Sequence, residues 1–218
     1  FIAEILGIEV EYPAELRDTD TITRNKKIAE PAWQDIYSGL ASVAPSGIIP
    51  ELIFPGAFNP MHQGHRQMVE YAQKQLAKPV TLEISVTNVE KPPLDFIELQ
   101  SRCEALQDCP MVFSNAPTFV EKCRLFSGAI FLVGIDTLVR IAAPKYYGLS
   151  EEKRDQALQE ISSLGNQFLV FGRQTAKGFE TLDDQDIPRV LAELCIGVNE
   201  DDFREDISST DIRAGESD

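Results

Sequence analysis

The sequence predicts an α/β fold, a doubly wound parallel sheet with a short helical extension at its N-terminal end. Three observations carry that expectation. From residue 51 onward, strand-length apolar runs alternate with segments of helical period. The runs are near-continuous, as in Phe168-Leu169-Val170-Phe171, which is the pattern of strands covered by helices on both faces. Residues that suit turns, namely Gly56, Asn88, Asn115, Gly134 and Gly172, stand where the strands end. In such sheets, ligands settle beyond the carboxyl ends of the strands, where the strand order reverses.

The elements follow in order. Residues 1–28 carry scattered charge and the turn-forming Asp18-Thr19-Asp20-Thr21. Pro31 then opens a helix whose Trp33, Ile36, Tyr37 and Leu40 share one face, expected to pack on the main domain. Ser46-Gly47 breaks the pattern, so a boundary near 48 separates residues 1–48, an extension or the end of a preceding domain, from the domain at 49–218. Strands are expected at 51–55, 80–86, 111–114, 129–133, 167–171 and 194–198. Helices are expected at 64–77, 95–107 and 118–126, from Thr137, and from Ser150 to about Ser162, where Ser-x-x-Lys replaces a full capping box. Strand and helix alternating in this way give a Rossmann-like sheet.

Composition limits what the chain can do. Its 218 residues suit one such domain with an appendage, and a 43% hydrophobic content supplies a core. The longest apolar runs, such as Ala129 to Val133, fall far short of the roughly 18 residues needed to cross a bilayer. The first residues show no basic head before a cleavable apolar stretch, so a soluble, cytoplasmic protein is expected, with no membrane partner. Because it opens at Phe1 without a Met, the chain is expected to be trimmed, processed or part of something longer, and its close soon after Arg213 reads either as an incomplete chain or as a shortened C-terminal segment. A net charge of −15 argues against gripping a nucleic-acid polymer, yet a local cluster of cations and amide dipoles can still hold a phosphate. Cys103, Cys109, Cys123 and Cys195 fall in no metal-binding or redox spacing and are expected as apolar filler in a reducing compartment. The acidic run at 200–206 reads as a solvated loop.

One segment constrains chemistry far more than the rest. Strand 51–55 breaks at Gly56, and Asn59-Pro60 leads into His62, Gly64 and His65 at the start of a helix. Gly56 lets the backbone turn with no Cβ in a ligand's way. The chain has only two histidines, set three apart, so both imidazoles can face one ligand. Imidazole N–H groups and loop amides at a helix start donate to phosphoryl oxygens. Far downstream, Ile207-Ser208-Ser209-Thr210-Asp211-Ile212-Arg213 offers a hydroxyl-rich helix start followed by a guanidinium. Both segments are expected to close on one nucleotide.

Residues 56–65 fit GxFxPxHxGH, and residues 207–213 fit ISSTxIR, both at every fixed position. The chain therefore resembles the HxGH nucleotidyltransferases, and within them the nicotinamide mononucleotide adenylyltransferases. That narrower resemblance rests on Thr87-Asn88-Val89-Glu90-Lys91-Pro92-Pro93-Leu94 followed by Arg102, on the GxDxL element at Gly134 to Leu138, and on Phe171-Gly172-Arg173. It covers residues 50–213. What it implies is a transfer in which a mononucleotide's phosphate attacks the α-phosphorus of ATP and pyrophosphate leaves, in the synthesis or salvage of a dinucleotide.

The resemblance also implies roles. His62, His65 and Arg213 would be catalytic, and Gly56, Ala57, Phe58, Gly64, Ser208, Ser209 and Thr210 would hold ATP. Lys91, Arg102, Gly134, Asp136 and Tyr147 would hold the mononucleotide, with Tyr147 standing where the family places a stacking aromatic. Asp136 is alternatively the cap of a helix starting at Thr137. Arg173 is alternatively an ion-pair partner for the acidic loop at 183–186. Mg²⁺ is expected to arrive on ATP's phosphates, with no metal ligands of the protein's own. Ala57 departs from the family's Ser, Thr or Gly and removes one hydroxyl. The expected partners are ATP and a mononucleotide; a homo-oligomer or a fused N-terminal domain stays open. So do another cytidylyl- or adenylyltransferase of the superfamily, such as a pantetheine phosphate adenylyltransferase, and a catalytically idle nucleotide-binding module.

Overall fold

The computed structural model describes residues 28–89, 92–175 and 178–204. In chain order the elements are α1 (Pro31–Tyr37), β1 (Val43–Ala44), β2 (Leu52–Pro55), α2 (Gln63–Leu76), β3 (Val80–Ser85), α3 (Phe96–Ala105), β4 (Met111–Ser114), α4 (Phe119–Leu125), β5 (Ile130–Gly134) and α5 (Ile135–Ala142). After a 3₁₀ turn at Pro144–Tyr147 come α6 (Glu151–Ser163), β6 (Gln167–Phe171), β7 (Arg173–Thr175) and β8 (Gly178–Glu180). A second 3₁₀ turn at Leu182–Asp184 leads to α7 (Arg189–Ala192) and β9 (Cys195–Gly197).

The seven-stranded sheet runs β1-β4-β3-β2-β5-β6-β9. All its pairs are parallel except β1 with β4. Counted from β2, the parallel strands have the order 3-2-1-4-5-6, the Rossmann-like arrangement the sequence predicts. The chain builds outward from β2 to β4, then crosses to β5 on the other side of β2. The order therefore reverses between β2 and β5, and that point fixes where a ligand crevice can open.

Because strand side chains alternate, each strand feeds two layers. Leu52 and Phe54 of β2 join Leu82, Ile84 and Phe113 under α1, α2 and α3, with Trp33, Ala72 and Leu99. Ile53 faces the opposite way and joins Val112, Phe131 and Phe168 under α4, α5 and α6, with Cys123, Leu138, Leu158 and Ile161. Each fully buried Leu, Ile or Phe contributes roughly 1.5–3 kcal/mol, so these two layers supply most of the driving force. Helix starts are specified locally. Asp95 accepts from the Glu98 amide at 2.8 Å, Thr118 and Glu121 cap each other at α4, and Ser150 accepts from the Lys153 amide at 3.2 Å. Each cap is worth about 1 kcal/mol.

Residues 28–48 pack directly on the sheet. Trp33 meets Phe113 edge-on at 6.0 Å, the Tyr37 hydroxyl donates to the Leu94 carbonyl, and β1 extends the sheet beyond β4. Leu40 does not share that buried face, contrary to the sequence pattern. The helix ends at Tyr37, Gly39 turns the chain at φ +75°, and Leu40 is left 82% exposed. The short β1, the β7–β8 hairpin and the single-turn α7 are additions to the expected elements, and α5 begins at Ile135 rather than Thr137. The four thiols are free; Cys123 is buried and the others half-buried. Among the described residues, no helix is long and apolar enough to cross a membrane.

Candidate active site

The site begins where β2 ends. The Gly56 amide donates to the Glu83 carbonyl at 3.0 Å, which carries the β2–β3 ladder one residue past Pro55. A Cβ at Gly56 would stand 2.7 Å from Cζ of Phe58, so only glycine leaves room for that ring. Phe58 adopts φ +45° and turns its side chain inward, 4% exposed, edge-on to Phe54 at 5.2 Å and to His65 at 5.3 Å. The Phe58 side chain is thus a wedge under the loop. Its packing holds the backbone of the Gly56–Ala57 turn outward.

His62 is the N-cap residue of α2, and His65 stands at its third position. The His62 backbone amide donates to Nδ1 of His65 at 3.4 Å, and the two imidazoles stack at 3.7 Å with 25° between planes. Because Nδ1 of His65 accepts, the ring's proton sits on Nε2. Burial, and secondarily the neighbouring His62, push His65 from 6.5 down to about 4. It is neutral at physiological pH and donates through one N–H. Gly64 is buried in the first turn. The helix is fourteen residues long, so its amino end adds unpaired amides and a positive dipole end to the two rings.

Beside this cluster, a cavity of about 400 Å³ opens at the carboxyl ends of β2, β3 and β4. Gly56, Ala57, Arg102, Arg140 and Tyr147 line it, whereas Phe58, His62, Gly64 and His65 do not; His65 meets the ring of Phe58, which lies against Gly56. The structure therefore brings four of the predicted residues, Gly56, Ala57, Arg102 and Tyr147, around one space. The Tyr147 hydroxyl donates to the Ile141 carbonyl at 3.0 Å, and burial pushes that phenol up to about 12, so it stays protonated. That hydrogen bond fixes the ring within the wall.

Gly134 and Asp136 lie outside the cavity lining, at the carboxyl end of β5. Asp136 pairs with Arg173, the first residue of β7, with side chains 59% and 45% exposed. Two expectations are corrected here. Arg173 binds Asp136 and not the acidic loop at 183–186, where Asp184 instead accepts from the Thr181 amide at 2.8 Å. Asp136 caps no helix at Thr137, because α5 starts at Ile135 with Gly134 as its N-cap residue. Lys91, Ser208, Ser209, Thr210 and Arg213 lie outside the described residues. Among the described residues, no group of three or more His, Cys, Asp or Glu is placed to hold a metal ion.

One cluster escaped the sequence reading. Lys122 of α4 reaches both carboxylate oxygens of Glu83 on β3 at 2.8 Å, and the Ser114 hydroxyl donates to the same carboxylate. Glu83 is 0% exposed and Lys122 6%, and both lie against the cavity. The signal was present in β3 itself. Thr81, Glu83, Ser85 and Thr87 alternate with Val80, Leu82, Ile84 and Val86, giving a polar face to a strand that lies between two others.

Comparison with known proteins bears on this geometry. Residues 53–215 match the family described as cytidylyltransferase-like. A protein of Schizosaccharomyces pombe named "Putative nicotinamide mononucleotide adenylyltransferase" is 33% identical over 150 residues, which cover 62% of this chain and 57% of that protein. The chain thus spans less than two thirds of that relative's length.

Proposed function

This chain belongs to the cytidylyltransferase-like family of nucleotidyltransferases, and from that premise we propose an adenylyltransferase that joins ATP to nicotinamide or nicotinate mononucleotide. The observation that carries the reading is adjacency. A helix start bearing two stacked imidazoles packs on Phe58, whose ring lies against Gly56, and Gly56 and Ala57 wall a cavity also lined by Arg102 and Tyr147 where the strand order reverses. The relative named for this activity supports the choice of substrates.

In this reading, an oxygen of the mononucleotide's phosphate attacks the α-phosphorus of ATP. A new P–O bond forms, the bond to the β-phosphate oxygen breaks, and pyrophosphate leaves with the electron pair. No covalent enzyme intermediate is needed, so alignment and charge stabilisation do the catalytic work. His65, neutral with its proton on Nε2, donates to a phosphate oxygen as charge moves toward the leaving group, and His62 and the amides of the α2 start add donors. Ser208, Ser209, Thr210 and Arg213 hold the β- and γ-phosphates, a role drawn from the ISSTxIR resemblance alone. Arg102, with Lys91, receives the mononucleotide's phosphate, and the ring lies against Tyr147. Mg²⁺ carried on the substrate phosphates would supply charge neutralisation.

The test is pyrophosphate release from ATP or CTP with a panel of mononucleotides. Release with ATP and a pyridine mononucleotide is expected, and His65→Ala should lower kcat about 10²- to 10³-fold, the usual cost of one transition-state donor. Preference for CTP would redirect the assignment to a cytidylyltransferase. Thermal stabilisation by ATP with no release from any mononucleotide would make the chain a binding module.

A further inference from the structure

The face of the sheet under α4, α5 and α6 is apolar on β2, β5 and β6, which present Ile53, Phe131, Val133, Phe168 and Val170. On β3 the same face carries Thr81, Glu83 and Ser85. A carboxylate fully removed from water must be matched, and Lys122 matches it through two contacts of 2.8 Å. Such a pair is a poor device for stability, because desolvating both ions offsets their attraction and an apolar pair of similar volume usually serves as well. Its position suggests another use. Lys122 and Glu83 meet at the cavity, beneath the Gly56–Ala57 turn.

We propose that the Lys122–Glu83 pair sets the specificity of this cavity, selecting a mononucleotide whose ring bears an uncharged carboxamide over one bearing a carboxylate. The inference rests on the adenylyltransferase reading and names which of its two substrates the site takes. An ammonium has three N–H groups, and Glu83 takes two, leaving one for a ligand's carbonyl oxygen. Since Glu83 has no exposed surface, it touches no ligand and acts through Lys122, as a positioning residue. It holds the amine in place and cancels its charge. A carboxamide oxygen accepts one hydrogen bond from such a floor. At Lys122 a carboxylate meets a charge already offset by Glu83, and it faces the field of that second carboxylate across a low dielectric. Arg102 and Arg140 also line the cavity, and their charges serve a phosphate equally well for either ring.

The experiment measures equilibrium binding of nicotinamide mononucleotide and of nicotinate mononucleotide to the full chain, alongside kcat/KM for each with ATP. The wild type should favour the amide. Glu83→Gln leaves the ammonium's charge unopposed and should move the amide-to-acid ratio toward the acid by about tenfold or more. A purely structural role would weaken both ligands alike and leave the ratio unmoved, which overturns the proposal. Should Glu83→Gln fail to give a cooperative melt, Glu83→Gln/Lys122→Met buries no lone charge and decides the matter. Without the ammonium donor, the amide preference should fall toward parity, and an unchanged preference refutes the assignment. A wild type that favours the acid refutes it as well. Binding of neither mononucleotide to the wild type sinks the adenylyltransferase reading itself, whereas binding with an unaltered ratio sinks only the role of this pair.

Discussion

Lowering the pH, with His65→Gln as reference, isolates the cost of keeping one imidazole neutral inside the site. In the folded chain His65 drops from 6.5 to about 4, chiefly through burial and then through His62. An unfolded chain therefore takes up this proton at a higher pH than the folded one does. Stability is fully present above about pH 6.5 and declines as the pH falls toward 4, with a limiting slope of about 1.36 kcal/mol per pH unit. Across the whole interval from 6.5 to about 4 the loss amounts to about 3 kcal/mol. That is a large share of the roughly 5–15 kcal/mol by which domains are stable. Urea unfolding of both proteins from pH 7.5 to 4.5 measures it. Carboxylates that titrate in the same range contribute equally to wild type and variant, so the difference between them reports His65. The wild type should lose its stability advantage progressively below pH 6.5, with unchanged m values. Parallel pH dependence of the two proteins, or a His65 Cε1–H resonance that titrates near 6.5, would refute the neutral His65 and the donor role built on it.

Other perturbations probe separate parts of the structure. Gly56→Ala places a methyl 2.7 Å from the Phe58 ring and should cost about 1–3 kcal/mol in denaturant unfolding; a neutral result would show that Phe58 yields freely. Lys122→Met strands the Glu83 carboxylate and should cost about 3–5 kcal/mol, while adding Glu83→Gln should restore most of it, a coupling that a double-mutant cycle reads directly. Asp136→Asn breaks a pair whose side chains are 59% and 45% exposed, so it should cost under about 1 kcal/mol and vanish at high salt. Trp33 is the only tryptophan, and its fluorescence should change together with far-ultraviolet circular dichroism in one transition. A separate fluorescence transition would make α1 an independently stable unit.

What the sequence made legible were features written into consecutive residues. Apolar runs with turn residues at their ends located β2, β4, β5 and β6, because strands covered on both faces carry few polar positions, whereas β3 showed through Val80, Leu82, Ile84 and Val86. The two histidines were legible because a helix start fixes where residues three apart must point. Missed were elements too short to show a period: β1 has two residues, and Arg173-Gln174-Thr175 of β7 carries no apolar alternation. Partners were harder still. Arg173 finds Asp136 because β5 and β6 are neighbours whose carboxyl ends lie side by side, and that adjacency follows from strand order, not from spacing along the chain.

Glu83 joins the two kinds of case. Read as one residue in a strand, it breaks the apolar rule, and the polar alternation in β3 was visible without coordinates. What was not visible is that β3 lies between β2 and β4, so that its second face is covered and a carboxylate there must have a buried partner. Topology turns an unremarkable Glu into a constraint, and the constraint names Lys122, thirty-nine residues on, as the group that meets it. The same reasoning points the proposed specificity away from the motif. On the proposed reading the histidine segment would supply donors for phosphate, a feature common to any nucleotide that presents one. On that same reading, discrimination between two rings differing by one charge would come from a group whose own charge is offset by a neighbour, and among the described residues lining the cavity, Lys122 held by Glu83 fits that requirement.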